Sequence, residues 1–200
     1  MFPLSAVLFP QAQMPLHIFE PRYRTLTRDC LAADSRFGIV LIARGAEVGG
    51  GEERMAVGTR AVITRAAELS DGRWLLMVQG ESRIRITEWL PDDPYPLAML
   101  EDWQSKPEDV DAALMHRAHQ CVRRTRGLMA ENGDAPALSA DVLFDEDDDK
   151  ASWQLCAEVP VNPFDAHRLL LADGTVERLT LLTELTEALE QDLLRMMHPQ

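Results

Sequence analysis

The sequence predicts an α+β protein: a β-barrel or curled sheet with one inserted helix, followed by a helical bundle. Three observations predict it. Apolar residues recur with period two through much of the first half and with a helical period through the second, the change falling near Ser105-Lys106-Pro107. The charge divides at the same place: residues 1–105 hold 11 basic and 14 acidic side chains, net −3, whereas residues 106–200 hold 9 and 19, net −10. The whole chain of 200 residues is 46% hydrophobic and 26% charged, the composition of a folded protein able to bury a core. Two subdomains are therefore expected, 1–105 and 106–200.

The first helix is expected at Pro21, which suits a first helical turn because its missing N–H has no partner there anyway. Tyr23, Leu26, Thr27, Cys30 and Leu31 then fall on one helical face. Residues 37–42 form a short apolar run of the kind that fills a buried strand. Gly49-Gly50-Gly51 leads into no helix that would aim backbone N–H groups at phosphate, and reads as a hairpin tip. Val57, Thr59, Ala61 and Ile63 share one strand face. Ser70-Asp71-Gly72-Arg73 joins that strand to another over 74–78, since glycine tolerates the positive φ of such a turn. Gln79-Gly80-Glu81 reads as punctuation before the alternating Arg83-Ile84-Arg85-Ile86-Thr87, and Pro91-Asp92-Asp93-Pro94 as the end of the strand run. Short strands with close turns imply a barrel or a curled sheet.

In the second half, Ser105-x-x-Glu108 has capping-box spacing with Pro107 near the first helical position, so a long helix is expected over about 107–131. Its apolar stripe is Val110, Leu114, Ala118, Cys121, Val122, Thr125, Leu128 and Met129, and Asn132-Gly133 stops it. An acidic loop over about 132–150 follows. Three further helices are expected: one around 153–158, one over 164–171 opened by Asn162-Pro163, and one from about 176 to 195 with Leu179, Leu182, Leu185, Leu189 and Leu193 facing inward. Leu114 and Leu182 both belong to the expected bundle core.

Charge and motifs weigh against several activities. A net charge of −13 repels polyanions, so no nucleic-acid partner is expected, and the one dense basic cluster, Arg123, Arg124 and Arg126, is surrounded by acid. Lys106 and Lys150 are the only lysines and no GxxxxGK[ST] motif exists, which excludes a P-loop nucleotide site. Cys30, Cys121 and Cys156 form neither a disulfide framework nor a paired metal site and fit a reducing compartment. His116, His119 and Cys121 are close in sequence, yet Cys121 belongs to the apolar stripe and points away from where a shared ligand belongs. His17, His167 and His198 adjoin no pattern that marks a catalytic group, and G-x-S-x-G is absent. The run Asp145-Glu146-Asp147-Asp148-Asp149 fails the calcium-loop register, with Ala151 and Ser152 where a ligand and the glycine belong, and reads as a solvated loop. The N-terminus lacks the basic region and apolar core of a signal peptide, and no apolar run approaches the ~18 residues needed to cross a bilayer. The expectation is a cytoplasmic protein with no catalytic residues, no metal, no cofactor and no membrane partner.

The opening stretch, Phe2-Pro3-Leu4-Ser5-Ala6-Val7-Leu8-Phe9-Pro10 and then Met14-Pro15-Leu16-His17-Ile18-Phe19-Glu20-Pro21-Arg22-Tyr23, resembles the N-terminal domain of Lon protease in its stand-alone form. The resemblance continues through residues 37–42, Glu47-Val48-Gly49, Val57-Gly58-Thr59, residues 80–86, 151–160 and 165–171, and Glu177-Arg178-Leu179. It implies a PUA-like β-barrel followed by a helical bundle, and a role in recognising unfolded or tagged polypeptides. In full-length Lon, separate ATPase and Ser-Lys protease domains perform the chemistry. Their catalytic residues have no counterparts here, so the resemblance implies a non-enzymatic protein- or peptide-binding module whose partner is an unfolded polypeptide or a partner protein. The motif residues Pro15, Leu16, Phe19, Glu20, Arg22 and Tyr23 are the candidate binding residues. Pro10, Pro15 and Pro21 fix backbone direction, and for Glu20, Arg22 and Tyr23 a structural role, stapling the helix to the barrel, is favoured over direct peptide contact. The alternatives are an enzyme or small-molecule binder with a pocket at the barrel mouth, and an RNA-binding protein of PUA-like type. The acidic run 145–149 departs from the family pattern.

Overall fold

The structure is a computed structural model that describes residues 1–133, 136–139 and 142–197; His198 lies outside them. The chain forms two compact units, Met1–Gln104 and Ser105–Gln200.

The first unit contains β1 (Phe2–Leu4), β2 (Gln13–Ile18), α1 (Pro21–Ala32), β3 (Arg36–Arg44), β4 (Glu53–Glu68), β5 (Trp74–Leu90) and β6 (Leu97–Asp102). The strands form one six-stranded sheet in the order β1-β3-β4-β5-β2, with β6 also pairing with β5. β1 runs parallel to β3 and the remaining neighbours are antiparallel. Phe2 of β1, Leu16 and Ile18 of β2, Tyr23 and Leu26 of α1, and Ile39, Ala61 and Val78 of the middle strands share one apolar cluster, so the sheet curls around a common core. Among the described residues no ladder joins β1 to β2, and the sheet is not closed into the barrel that the resemblance implies. On the opposite face Met1, Val40, Ile84 and Ile86 make a smaller cluster.

Two punctuation signals in this unit mark something other than what they suggested. Gly80 interrupts no strand: β5 runs through it, and the register shifts there from Arg60↔Ser82 to Ala61↔Gly80, a bulge. Gly80 exchanges backbone hydrogen bonds of 2.9 Å with Gln11 and Ala12, and a Cβ at this position would collide with the Phe9 carbonyl oxygen. Pro91-Asp92-Asp93-Pro94 does not end the strand run but turns β5 back into β6. The Asp71-Gly72 turn links β4 to β5, with Gly72 at φ 79°. In α1 the stripe buries Tyr23, Leu26, Thr27 and Cys30, while Leu31 is exposed.

The second unit contains α2 (Ala112–Asn132), α3 (Asp148–Glu158), α4 (Pro163–Leu171) and α5 (Thr175–Met197), with α5 packed against the other three. Helix α2 begins five residues later than the capping-box spacing suggests. Asp111 is its cap, accepting from the Ala113 amide at 2.9 Å. Glu108 instead accepts from the Val176 amide at 2.9 Å, capping the start of α5, and Ser105 lies 3.4 Å from the Arg178 guanidinium. Lys106, which precedes a proline and so disfavours helix, bridges to Gly174. Asn162 caps α4 by accepting from the Phe164 and Asp165 amides. Leu182 is fully buried, but Leu114 is only half-buried and Ala118 is the residue enclosed on that face of α2.

The acidic run is solvated from Asp145 to Asp148, but its second half opens a helix. Asp147 caps α3 and accepts from the Lys150 amide, and Asp148 and Asp149 occupy the first turn, where carboxylates oppose the helix dipole favourably. Asp149 pairs at 2.8 Å with Arg178, whose side chain is wholly buried and lies 3.3 Å from the centroid of the Trp153 ring. Arg124 pairs with Glu190 at 2.7 Å, and Arg123 donates to the carbonyls of Ser139 and Val142. The arginine cluster thus serves contacts within the unit.

Candidate functional site

Each end of the strand path leaves an edge unpaired. Among the described residues, β1 pairs with no strand but β3, and β2 with none but β5. Between these two ends lies a hollow of about 220 Å³, lined by Phe2, Pro3 and Leu4 from β1, Pro15, Leu16, His17 and Ile18 from β2, Phe19 and Glu20 before α1, Tyr23 within it, and Glu47 and Val48 from the β3–β4 connection. Among the described residues no ladder joins these two strands. The hollow is the open seam of the sheet. Both seam strands carry a proline, Pro3 and Pro15, a residue with no N–H to offer.

The motif residues build this seam from one side. Pro15 and Leu16 are on β2, Phe19 and Glu20 follow it directly, and Tyr23 is one turn into α1. Phe19 is 47% exposed, with its ring 6.0 Å from that of His17. Tyr23 is only 4% exposed, and its ring centroid lies 4.4 Å from that of Phe2, which fastens α1 to β1. Burial, foremost, pushes the Tyr23 phenol up to about 12, so it remains protonated at neutral pH. Arg22 is the one candidate that does not line the hollow. It stacks on the Tyr23 ring at 4.4 Å and pairs with Glu20 at 3.2 Å, holding the start of α1.

Seven lining residues were not among the sequence candidates: Phe2, Pro3 and Leu4 of β1, His17 and Ile18 beside the candidates on β2, and two from outside the opening block, Glu47 and Val48. Glu47 and Val48 lie in the connection between β3 and β4, where Gly45, Gly49, Gly50 and Gly51 all take positive φ, a conformation that favours glycine. That path brings Val48, 57% exposed, to the rim. The Glu47 carboxylate accepts from the Ser5 amide at 2.6 Å and from the Ser5 hydroxyl, both through Oε1. The family-like block Glu47-Val48-Gly49 was the available signal, but nothing in its spacing tied it to β2. A second hollow, about 540 Å³, lies against the paired strands β2 and β5, lined by Pro15, Leu16, His17, Arg65, Leu75, Leu76 and Met77. Leu75 is exposed there. β2 therefore borders two hollows.

An open six-stranded sheet with one inserted helix and an apolar seam, followed by a helical unit, defines the class: an α+β module of the Lon N-terminal fold. Two solved structures share it: a Lon N-terminal domain protein from Xanthomonas campestris, with TM-score 0.67 and 24% identity over 92% of this chain and 95% of that one, and the N-terminal domain of a Mycobacterium avium complex Lon protease, with TM-score 0.61 and 14% identity over 92% and 96%. The chain belongs to the ATP-dependent protease La (LON) substrate-binding domain family, whose model matches residues 1–188. A Lon protease of Parabacteroides distasonis is 27% identical over 185 residues, covering 87% of this chain and 22% of that protein. A LON peptidase N-terminal domain and RING finger protein of Schizosaccharomyces pombe is 24% identical over 227 residues, covering 92% and 45%. The chain thus spans less than half the length of these relatives. No helix among the described residues is long and apolar enough to cross a membrane.

Proposed function

We propose that the chain is a substrate-recognition module that binds rather than reacts, receiving exposed apolar segments of unfolded polypeptides or of a partner protein at the seam between β1 and β2. The observation that carries the reading is the convergence of Pro15, Leu16, Phe19, Glu20 and Tyr23 on one hollow with Val48 on its rim. Exposed Phe19 and Val48 are apolar surface kept in water, which favours a protein contact over a purely structural role. The finer architecture, a PUA-like barrel left open along this seam, belongs to the same reading, supported by the shared core of the two terminal strands. Work in the cytoplasm is part of it too, since all three cysteines are free.

The test is a fluorescence anisotropy titration of a labelled, permanently unfolded polypeptide with the wild-type protein and with Phe19→Ser and Val48→Ser. Both sites are exposed, so folding is preserved and checked by circular dichroism. The expected result is binding by wild type that each variant weakens about tenfold, roughly the burial of one large apolar side chain. No binding by wild type, or identical affinity in all three, would overturn the reading.

A further inference from the structure

The seam hollow has a polar side whose charge is one-signed. Its ionisable lining residues are His17, Glu20, Tyr23 and Glu47, with no lysine or arginine. Glu20 is already served by Arg22 at 3.2 Å, and its carboxylate stands at the N-terminus of α1, where it offsets the dipole that would otherwise favour an anion. Glu47 differs from it. Among the described residues no cation pairs with Glu47, and both donors that fix it, the Ser5 amide and hydroxyl, are neutral and reach the same oxygen, Oε1. Oε2 receives neither Ser5 donor, and Glu47 is exposed beside Val48 in the lining of the hollow. A carboxylate anchored in advance loses little freedom when it takes a further donor.

From this geometry we infer that the seam selects extended segments in which the buried apolar residue is flanked by a lysine or arginine, and that Glu47 reads that charge. The inference rests on the polypeptide-binding reading above and names the chemistry of the segment bound. The apolar side chain enters the hollow along β2, and the cationic group meets Oε2 of Glu47 at its edge. An exposed pair of this kind changes affinity by a factor of about two to five, so it tunes selection while the apolar contact supplies most of the binding.

The experiment compares three labelled peptides of one length, each with a central phenylalanine flanked by two lysines, two glutamines or two glutamates. They are titrated against wild type, Glu47→Gln and Glu146→Gln. The Glu47→Gln substitution keeps an acceptor for Ser5 and loses only the charge, while Glu146→Gln removes one exposed carboxylate from the other unit and so measures the general pull of an acidic protein on a cationic peptide. The expected result is that wild type binds the lysine peptide about two to five times tighter than the glutamine peptide and the glutamate peptide weakest. That spread is expected to shrink in Glu47→Gln, persist in Glu146→Gln, and fade in high salt. Equal affinity for all three peptides, or an undiminished spread in Glu47→Gln, would overturn the inference. In that event, binding of the glutamine peptide that Phe19→Ser weakens leaves the polypeptide-binding reading standing. Failure of wild type to bind any of the three ends both.

Discussion

Replacing Asp149 with alanine should destabilise the helical unit far more than an exposed acidic residue ordinarily would. The Arg178 side chain is completely buried, and the Asp149 carboxylate is its charge partner, with Oδ1 3.1 and 2.8 Å from two guanidinium nitrogens. The same oxygen accepts from Thr175 at 3.0 Å, while Oδ2 accepts from the Trp153 indole at 3.3 Å. Removing one member of a buried pair costs about 3–5 kcal/mol because the other charge stays buried without its counterion. The Asp149 side chain is 41% exposed, so water recovers part of that loss and about 2–4 kcal/mol remains. With a urea dependence of roughly 1.5 kcal/mol per molar, the midpoint followed by helix ellipticity should fall by about 1.3–2.7 M. Arg178→Met, which leaves the carboxylate at the surface and an apolar chain over Trp153, should cost less than Asp149→Ala, and the double variant should resemble Arg178→Met. Glu146→Ala serves as the exposed control. A loss for Asp149→Ala no greater than this control, or a larger loss for Arg178→Met, would refute the assignment of Asp149 as the counterion of a buried charge.

Leu182→Ala, at a fully buried position of α5, should cost about 2–5 kcal/mol in the same urea titration, and an unchanged midpoint would mean that this face is not core. The thiols should resist a disulfide reagent at pH 8 in the native protein and all react in denaturant. All three are buried, and burial pushes Cys30 up to about 11 and Cys156 up to about 12; prompt native reaction at more than one site would contradict this. Burial first, then Arg123 and His116, lowers the His119 pKa, so the unfolded chain takes up a proton there before the folded one does. Stability is therefore present above about pH 6.5 and is lost as pH falls from there through the depressed folded value. His119→Gln should shrink the drop in urea midpoint between pH values of about 7.5 and 5.5, which bracket the ordinary histidine pKa, and an equal drop in both proteins would count against it.

What was legible in the sequence was whatever one segment decides alone. Pro21 opening α1, Asn162-Pro163 opening α4, the run 37–42 and the Asp-Gly turn need only their own neighbours. The signals that misled are those whose partner is far along the chain. Ser105 and Glu108 have the spacing of a cap, but Glu108 is claimed by an amide 68 residues away at the start of α5, which leaves Asp111 to open α2. Gly80 marks the approach of the Phe9 carbonyl and not a turn, and the acidic run is partly fixed by Arg178. The candidate site divides in the same way. Its residues from β2 and α1 are contiguous and stood out together, whereas Glu47 and Val48 come to the seam only because β3 and β4 carry their connection there.

Pro3 and Pro15 give the seam a further property. A protein that holds an unfolded chain beside an unpaired strand risks becoming a template, on which that chain adds as another strand and then recruits more. Proline removes one donor from each terminal strand of the open sheet, so a guest segment meets an interrupted ladder on both sides. Side chains can still enter between the strands. On the proposed reading, a bound chain would be held through its side chains and not by strand addition, which would leave it releasable and keep the sheet from growing at its guest's expense.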